Sequence, residues 1–240
     1  MRLQSVIRAI YPPQCVACDA QTEDDFGLCN TCWRETQFIG GLVCDTCGVP
    51  LPGEENGEIV QCDDCMTIAR PWDHGRAVLA YSGIGRKLVL SLKHGDRTDL
   101  APPAARWMAQ KSADLAKIDS VLVPVPLHRL RLLRRRYNQS ALLAQELAKL
   151  LNRPVCVDGL LRPKRTKPLQ GDSRDARFAE LASAIVPNPK RIDQLAEKSV
   201  ILIDDVMTSG ATLAACTEAA RSAGAKNVSI VTLARVVKDA

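Results

Sequence analysis

Eight cysteines fall into four pairs with one two-residue spacer: Cys15 and Cys18, Cys29 and Cys32, Cys44 and Cys47, Cys62 and Cys65. The gaps between pairs are 10, 11 and 14 residues. A tight CxxC turn aims two thiolates at one point, and two such turns complete a tetrahedron around zinc. Gly48, just after the third pair, supplies backbone freedom for that turn. The segment has few large apolar side chains, and metal binding can contribute ~10 kcal/mol or more of apparent folding energy to such a unit. The pattern predicts two structural zinc ions. Iron in a rubredoxin-like centre is the competing metal. Sequential use of the pairs is the simplest arrangement, and an interleaved one satisfies the same spacing. Cys156 and Cys216 have no partner nearby in sequence and read as small buried residues.

Composition divides the chain at the same place. Residues 1–70 hold 4 basic and 11 acidic side chains, whereas residues 71–240 hold 28 and 16. This predicts two domains, 1–70 and 71–240, with different work. With 46% hydrophobic and 25% charged residues, the chain has the make-up of a soluble globular protein with a buried core, not of a long disordered one. No apolar run approaches the ~18 residues of a membrane span. The first residues lack the continuous apolar region of a signal peptide, so the expected location is the cytoplasm, where a disulfide framework would not persist. Leu3, Val6, Ile7 and Ile10 recur at helical spacing before Pro12 and Pro13, the pattern of a short packing helix. The larger part carries its own apolar strands and helices and is expected to stay folded without the cysteine-rich one.

The sharpest chemical signal is residues 199–213, SVILIDDVMTSGATL. Residues 200–203 are β-branched and aliphatic, as in a strand buried on both faces. Asp204 and Asp205 end it, where ligands bind in open α/β sheets. Met207, Thr208, Ser209, Gly210, Ala211 and Thr212 then lead into a helical stretch over 213–223. Such a loop turns backbone N–H groups and hydroxyls toward an anion at a helix N-terminus, which favours a phosphate. Carboxylates beside a phosphate cradle make sense if they face ribose hydroxyls or a metal ion. The string resembles the signature of type I phosphoribosyltransferases. That resemblance implies ribose contacts for Asp204 and Asp205 and a 5-phosphate loop over 207–212, with phosphoribosyl pyrophosphate and magnesium as ligands.

A second buried strand is predicted over 120–126, ended by prolines. After it, five arginines crowd positions 129–136, and 141–151 has the period of a strong helix. A basic loop between strand and helix suits a pyrophosphate clamp, because arginine holds phosphate oxygens in a bidentate way. Arg162, Lys164, Arg165 and Lys167 add a second basic stretch. Few aromatics accompany the basic segments, so any contact with single-stranded DNA would rest on phosphates and be salt-sensitive.

The whole chain resembles the ComF family, in which a double zinc ribbon precedes a phosphoribosyltransferase domain. The match rests on the cysteine pairs, on PVPLHxxRLxxRxYNQSxLLA over 124–144, on DDVMTSGAT, and on the LKHGD element from Leu92 to Asp96. It implies an α/β fold: a type I phosphoribosyltransferase-like parallel sheet flanked by helices, with a small N-terminal double zinc ribbon. It also points to Arg131, Arg135, Asn138 and Gln139 as loop residues of the site. The implied role is in natural transformation, handling imported single-stranded DNA, with single-stranded DNA or a helicase-like partner held by the zinc domain and basic surface in the adaptor reading. Two classes of function share this site: an enzyme with Asp204 and Asp205 at the reacting ribose, and a non-catalytic adaptor that senses phosphoribosyl pyrophosphate. Nucleobase salvage is a third reading. The chain departs from the family at Arg136, where glycine is frequent. Residues 162–185 resemble the family's mobile loop, with Arg177 kept but Glu180 in place of Asn and Ile185 in place of Phe, which puts a ligand-covering role in doubt.

Overall fold

In the computed structural model, residues 11–23, 25, 27–55, 57–164 and 184–237 are described. The expected N-terminal helix around Leu3, Val6, Ile7 and Ile10 lies outside these residues, as do Arg177 and Glu180. The elements run α1 (Asn30–Glu35), α2 (Asp63–Thr67), β1 (Gly75–Ala80), α3 (Gly83–His94), α4 (Ala101–Ser112), β2 (Ser120–Pro124), α5 (Arg129–Arg135), α6 (Gln139–Leu151), β3 (Leu160–Leu161), β4 (Val186–Pro187), α7 (Ile192–Leu195), β5 (Ser199–Met207), α8 (Ala211–Ser222) and β6 (Asn227–Arg235). Strands β1, β6, β5 and β2 form one sheet in that order, with every pairing parallel. Strands β3 and β4 make a separate antiparallel pair.

The apolar run of β5 reads as a strand because it has two cores to fill. Val200 and Leu202 join the core under α8, while Ile201 and Ile203 join the core under α3, α4 and α6. All four are at most 1% exposed. A two-residue period with both faces covered explains why the run is continuously apolar rather than alternating. Cys156 and Cys216 are buried within the first of these cores, as small residues.

The composition boundary near residue 70 is not a boundary in the packing. Cys44, Cys47, Cys65 and Trp72 belong to one core, and Cys15, Val16, Ala17 and Cys32 to the other. The cysteine-rich part also caps the outer edge of β1. The Ile39 N–H donates to the Val78 carbonyl at 2.8 Å, the Ala80 N–H to the Gln37 carbonyl at 2.9 Å, and the Gly75 N–H to the Asp45 carbonyl at 2.8 Å. An edge strand left open is a template for pairing with other chains, and this one is closed by the chain's own ribbon. Close approach fixes Gly48 (φ +68°): a Cβ there would come 2.7 Å from the Ala77 nitrogen.

Three local features differ from the sequence expectation. Strand β5 runs past the acidic pair to Met207, which is the last strand residue and not the first of the loop. The strand expected over 120–126 ends at Pro124. The basic loop is itself a short helix, α5, because the His128 side chain accepts from the Leu130 N–H at its start. Arg136 closes that helix in the left-handed conformation, φ 66°. The arginine thus adopts the backbone that a glycine would take, at a conformational cost of about 1–2 kcal/mol, and the turn is kept. Ile185, in place of an aromatic residue, is buried in the α8 core.

These contacts join residues 71–240 to the ribbon, and we propose that the larger part depends on them. Removing residues 1–70 bares the β1 edge and one end of each core. The fragment is expected to self-associate and to lose its cooperative thermal transition, as read by size-exclusion chromatography and circular dichroism. A monomeric fragment that melts at the full chain's temperature would contradict this packing.

Candidate functional site

Strand β5 carries the acidic pair to the carboxyl edge of the sheet, with Asp204 in register with Thr232 and Met207 with Arg235 on β6. The pair is anchored from two helices. Lys93, at the end of α3, places its Nζ 2.9 Å from Asp205 Oδ1. Ser140, in the first turn of α6, donates its hydroxyl to Asp204 Oδ1 at 3.0 Å, and the Asp205 N–H donates to the same oxygen at 2.9 Å. Asp205 is only 6% exposed. Burial, and next the charge of Asp205, push the Asp204 carboxyl up to about 7, against the pull of Lys93. Sequence reasoning did not single out Lys93 or Ser140 as site residues. The signal was present in the LKHGD and YNQS elements, but only the fold brings them to the acidic pair.

The loop that follows is the opening of α8. Gly210 is its N-cap residue in the left-handed conformation, φ +84°. A Cβ on Gly210 would come 2.8 Å from Met207 Cε and 3.0 Å from the Trp72 ring. The Ala211 N–H is held at 3.4 Å by the Ser209 hydroxyl. Thr208, Ser209, Gly210, Ala211 and Thr212 therefore sit where an anion would meet both the loop's N–H groups and the positive end of α8.

The residues expected of the basic element divide. Asn138 caps α6: its side chain accepts from the Ser140 N–H and donates to the Val125 carbonyl at 2.9 Å. Gln139 is buried and accepts from Arg135 Nη1 at 3.2 Å. Tyr137 donates its hydroxyl to the Leu92 carbonyl at 2.8 Å, locking this turn to the end of α3. Asn138 and Gln139 thus hold the frame. No residue of α5, including Arg131 and Arg135, is buried. Burial, followed by the charges of Arg135, Lys93 and Arg134, lowers the His94 pKa, which records how the cations of α5 gather near this end of α3.

The eight paired cysteines come together as two groups, Cys15, Cys18, Cys29, Cys32 and Cys44, Cys47, Cys62, Cys65, which is the sequential arrangement. Within each group the sulfur atoms lie within 4.8 Å of one another. Cys18 and Cys29 sulfurs are 3.6 Å apart, and those of Cys47 and Cys62 are 3.7 Å apart. A zinc–sulfur distance of about 2.3 Å puts tetrahedral neighbours about 3.8 Å apart, so both groups fit a zinc ion. In the second group a hydrogen bond with Cys44 lowers the Cys47 pKa. A hydrogen bond with Cys47, and burial, push the Cys44 thiol up to about 12. A divalent ion at the centre reverses that preference.

The double zinc ribbon domain family matches residues 6–66, and the phosphoribosyl transferase domain family matches residues 138–239. Competence protein F of Haemophilus influenzae is 27% identical over 87% of this chain and 90% of its own length. The DNA utilization protein YhgH of Shigella flexneri is 26% identical over 88% and 92%, and competence protein ComFC of Bacillus subtilis 27% over 83% and 85%. The resemblance to the ComF family is borne out: a double zinc ribbon with two four-cysteine sites is joined to a phosphoribosyltransferase-like parallel sheet, in a chain similar over most of its length to that family's competence proteins.

Proposed function

We propose that the chain binds phosphoribosyl pyrophosphate with magnesium at the carboxyl end of β5, and acts in natural transformation on imported single-stranded DNA or beside a helicase that handles it. The observation that carries the reading is the placement of two carboxylates, one paired with Lys93 and one with Ser140, directly before a glycine-pivoted loop that opens α8. Competence and DNA use enter through the names of the relatives. No helix among the described residues is long and apolar enough to cross a membrane.

In this reading the 207–212 loop receives the 5-phosphate on its backbone N–H groups and hydroxyls. Asp204 and Asp205 accept from the ribose hydroxyls. Arg131 and Arg135, on a helix with no buried residue, meet the pyrophosphate. When bound, magnesium neutralises charge on the departing pyrophosphate. Lys93 holds Asp205 in place for its ribose contact. With an acceptor present, its nucleophilic atom bonds to ribose C1 as the bond from C1 to pyrophosphate breaks and the pyrophosphate leaves, its charge stabilised by the arginines. Pyrophosphate release on incubation with the ligand, magnesium and single-stranded DNA or a panel of bases separates this enzyme from a sensor: release with one acceptor identifies the reaction, and binding without release identifies the sensor.

Zinc completes the proposal, with two structural ions per chain on the eight paired cysteines. Elemental analysis of reduced protein is expected to give two zinc ions, falling to one in Cys44→Ser. A count near zero with residues 11–66 still folded would remove the metal.

Replacing Asp204 and Asp205 together by Asn is expected to weaken phosphoribosyl pyrophosphate at least about tenfold, since each charged hydrogen bond contributes about 1.5–3 kcal/mol. Unchanged affinity by calorimetry would remove the ribose role.

Affinity is also expected to depend on pH in a defined direction. Asp204 has a raised pKa, about 7, so its acceptor carboxylate is present above that pH and is lost as pH falls through it. Between pH 8 and pH 6 the affinity should drop about tenfold. A flat profile would show that the Asp204 charge makes no contact with the ligand.

A further inference from the structure

Two arginines connect the second cysteine group to the back of the phosphate loop. Arg235, the last residue of β6, is 4% exposed. Its Nη1 donates to the Thr208 carbonyl at 2.7 Å, and its Nη2 lies 3.6 Å from Cys47 Sγ. Arg70 donates from Nη1 to the Ser209 carbonyl at 2.8 Å, and its guanidinium lies over the Trp72 ring, 5.4 Å from the centroid. Arg70 Nε and Nη2 and Arg235 Nε are buried without a hydrogen-bond partner. Among the described residues no ion pair includes either arginine.

A guanidinium out of water needs a counter-charge, and among the described residues no carboxylate pairs with either arginine. Four thiolates around a divalent ion carry a net charge of about −2, which balances two arginines. On their other side the arginines grip two successive carbonyls. In a planar trans peptide the N–H points opposite to the C=O. Pinning the Thr208 and Ser209 carbonyls toward the ribbon therefore turns the N–H groups of Ser209 and Gly210 away from it, toward the open side where an anion would sit. We infer that Arg235 and Arg70 are positioning residues that hold the phosphate loop in its anion-binding shape, with the metal-loaded Cys44, Cys47, Cys62 and Cys65 group as their counter-charge. Where that loop takes the 5-phosphate, this rests on the proposed function above. The ribbon is then part of the sugar-phosphate site from behind, and metal and ligand stabilise each other reciprocally.

The test compares the full-length wild type, Arg235→Met and Arg235→Lys, each first shown to hold two zinc ions. Hydrogen exchange over residues 207–212 is measured without ligand. In Arg235→Met these amides are expected to exchange at least about tenfold faster, because the carbonyl anchor of Thr208 is gone. Arg235→Lys, which keeps the charge but cannot reach both Thr208 and Cys47, is expected to retain zinc against a chelator as the wild type does while leaving the loop unprotected. Phosphoribosyl pyrophosphate with magnesium should slow zinc release from the wild type about threefold or more and leave release from Arg235→Met unaltered. Loop exchange in Arg235→Met equal to wild type, with both metals bound, overturns the inference. If Arg235→Met does not fold, the same comparison on the half-buried Arg70→Gln decides it by the same criterion. A wild type that fails to bind phosphoribosyl pyrophosphate sinks the proposed function alone, since the exchange comparison uses no ligand.

Discussion

The site depends on one constraint: β5 is an inner strand with partners on both sides and a core on both faces. Its register with β2 and β6 leaves no slack along its axis, because a one-residue slip would exchange Val200 and Leu202 with Ile201 and Ile203 between the two cores. The acidic pair, the loop and the start of α8 are consequently delivered to one fixed place at the sheet's edge. Everything else around the site approaches this strand end: α3 with Lys93, α6 with Ser140, and β6 with Arg235.

The electrostatics follow from that placement. Burial at the strand end, and next the charge of Asp205, push the Asp204 carboxyl upward, while Lys93 pairs with Asp205. The loop beyond them is ringed by donors, not acids. In the proposed reading, the carboxylates meant for ribose hydroxyls or a cation and the loop meant for a phosphate are separated by only two residues of chain. The basic helix α5 carries its arginines without a residue in either core.

Much of this was legible in the sequence where the determinants are local. The CxxC spacing pointed to both metal groups, and the β-branched run followed by two aspartates and a glycine-centred loop pointed to β5 and α8. What could not be read depends on distant partners. Arg70 and Ser209 are 139 residues apart, and Arg235 and Thr208 are 27 apart, brought together by the registers of β6 with β5 and with β1. The ribbon's place on the β1 edge was hidden for the same reason: composition separates acidic from basic segments, but edge pairing through Gln37, Ile39 and Asp45 leaves no compositional trace. At Arg136 an arginine holds a left-handed turn suited to glycine.

The most direct measurement of the central claim is a methyl-13C methionine NMR titration of the full chain with phosphoribosyl pyrophosphate and magnesium. Met207 is buried at the root of the loop, with its methyl group beside Gly210, whereas Met108 lies in the opposite core and Met66 on the ribbon surface. The account predicts a saturable shift of the Met207 methyl, with Met108 unmoved. Saturable binding that leaves Met207 in place, or no binding at millimolar ligand, would contradict a phosphoribosyl site at the end of β5.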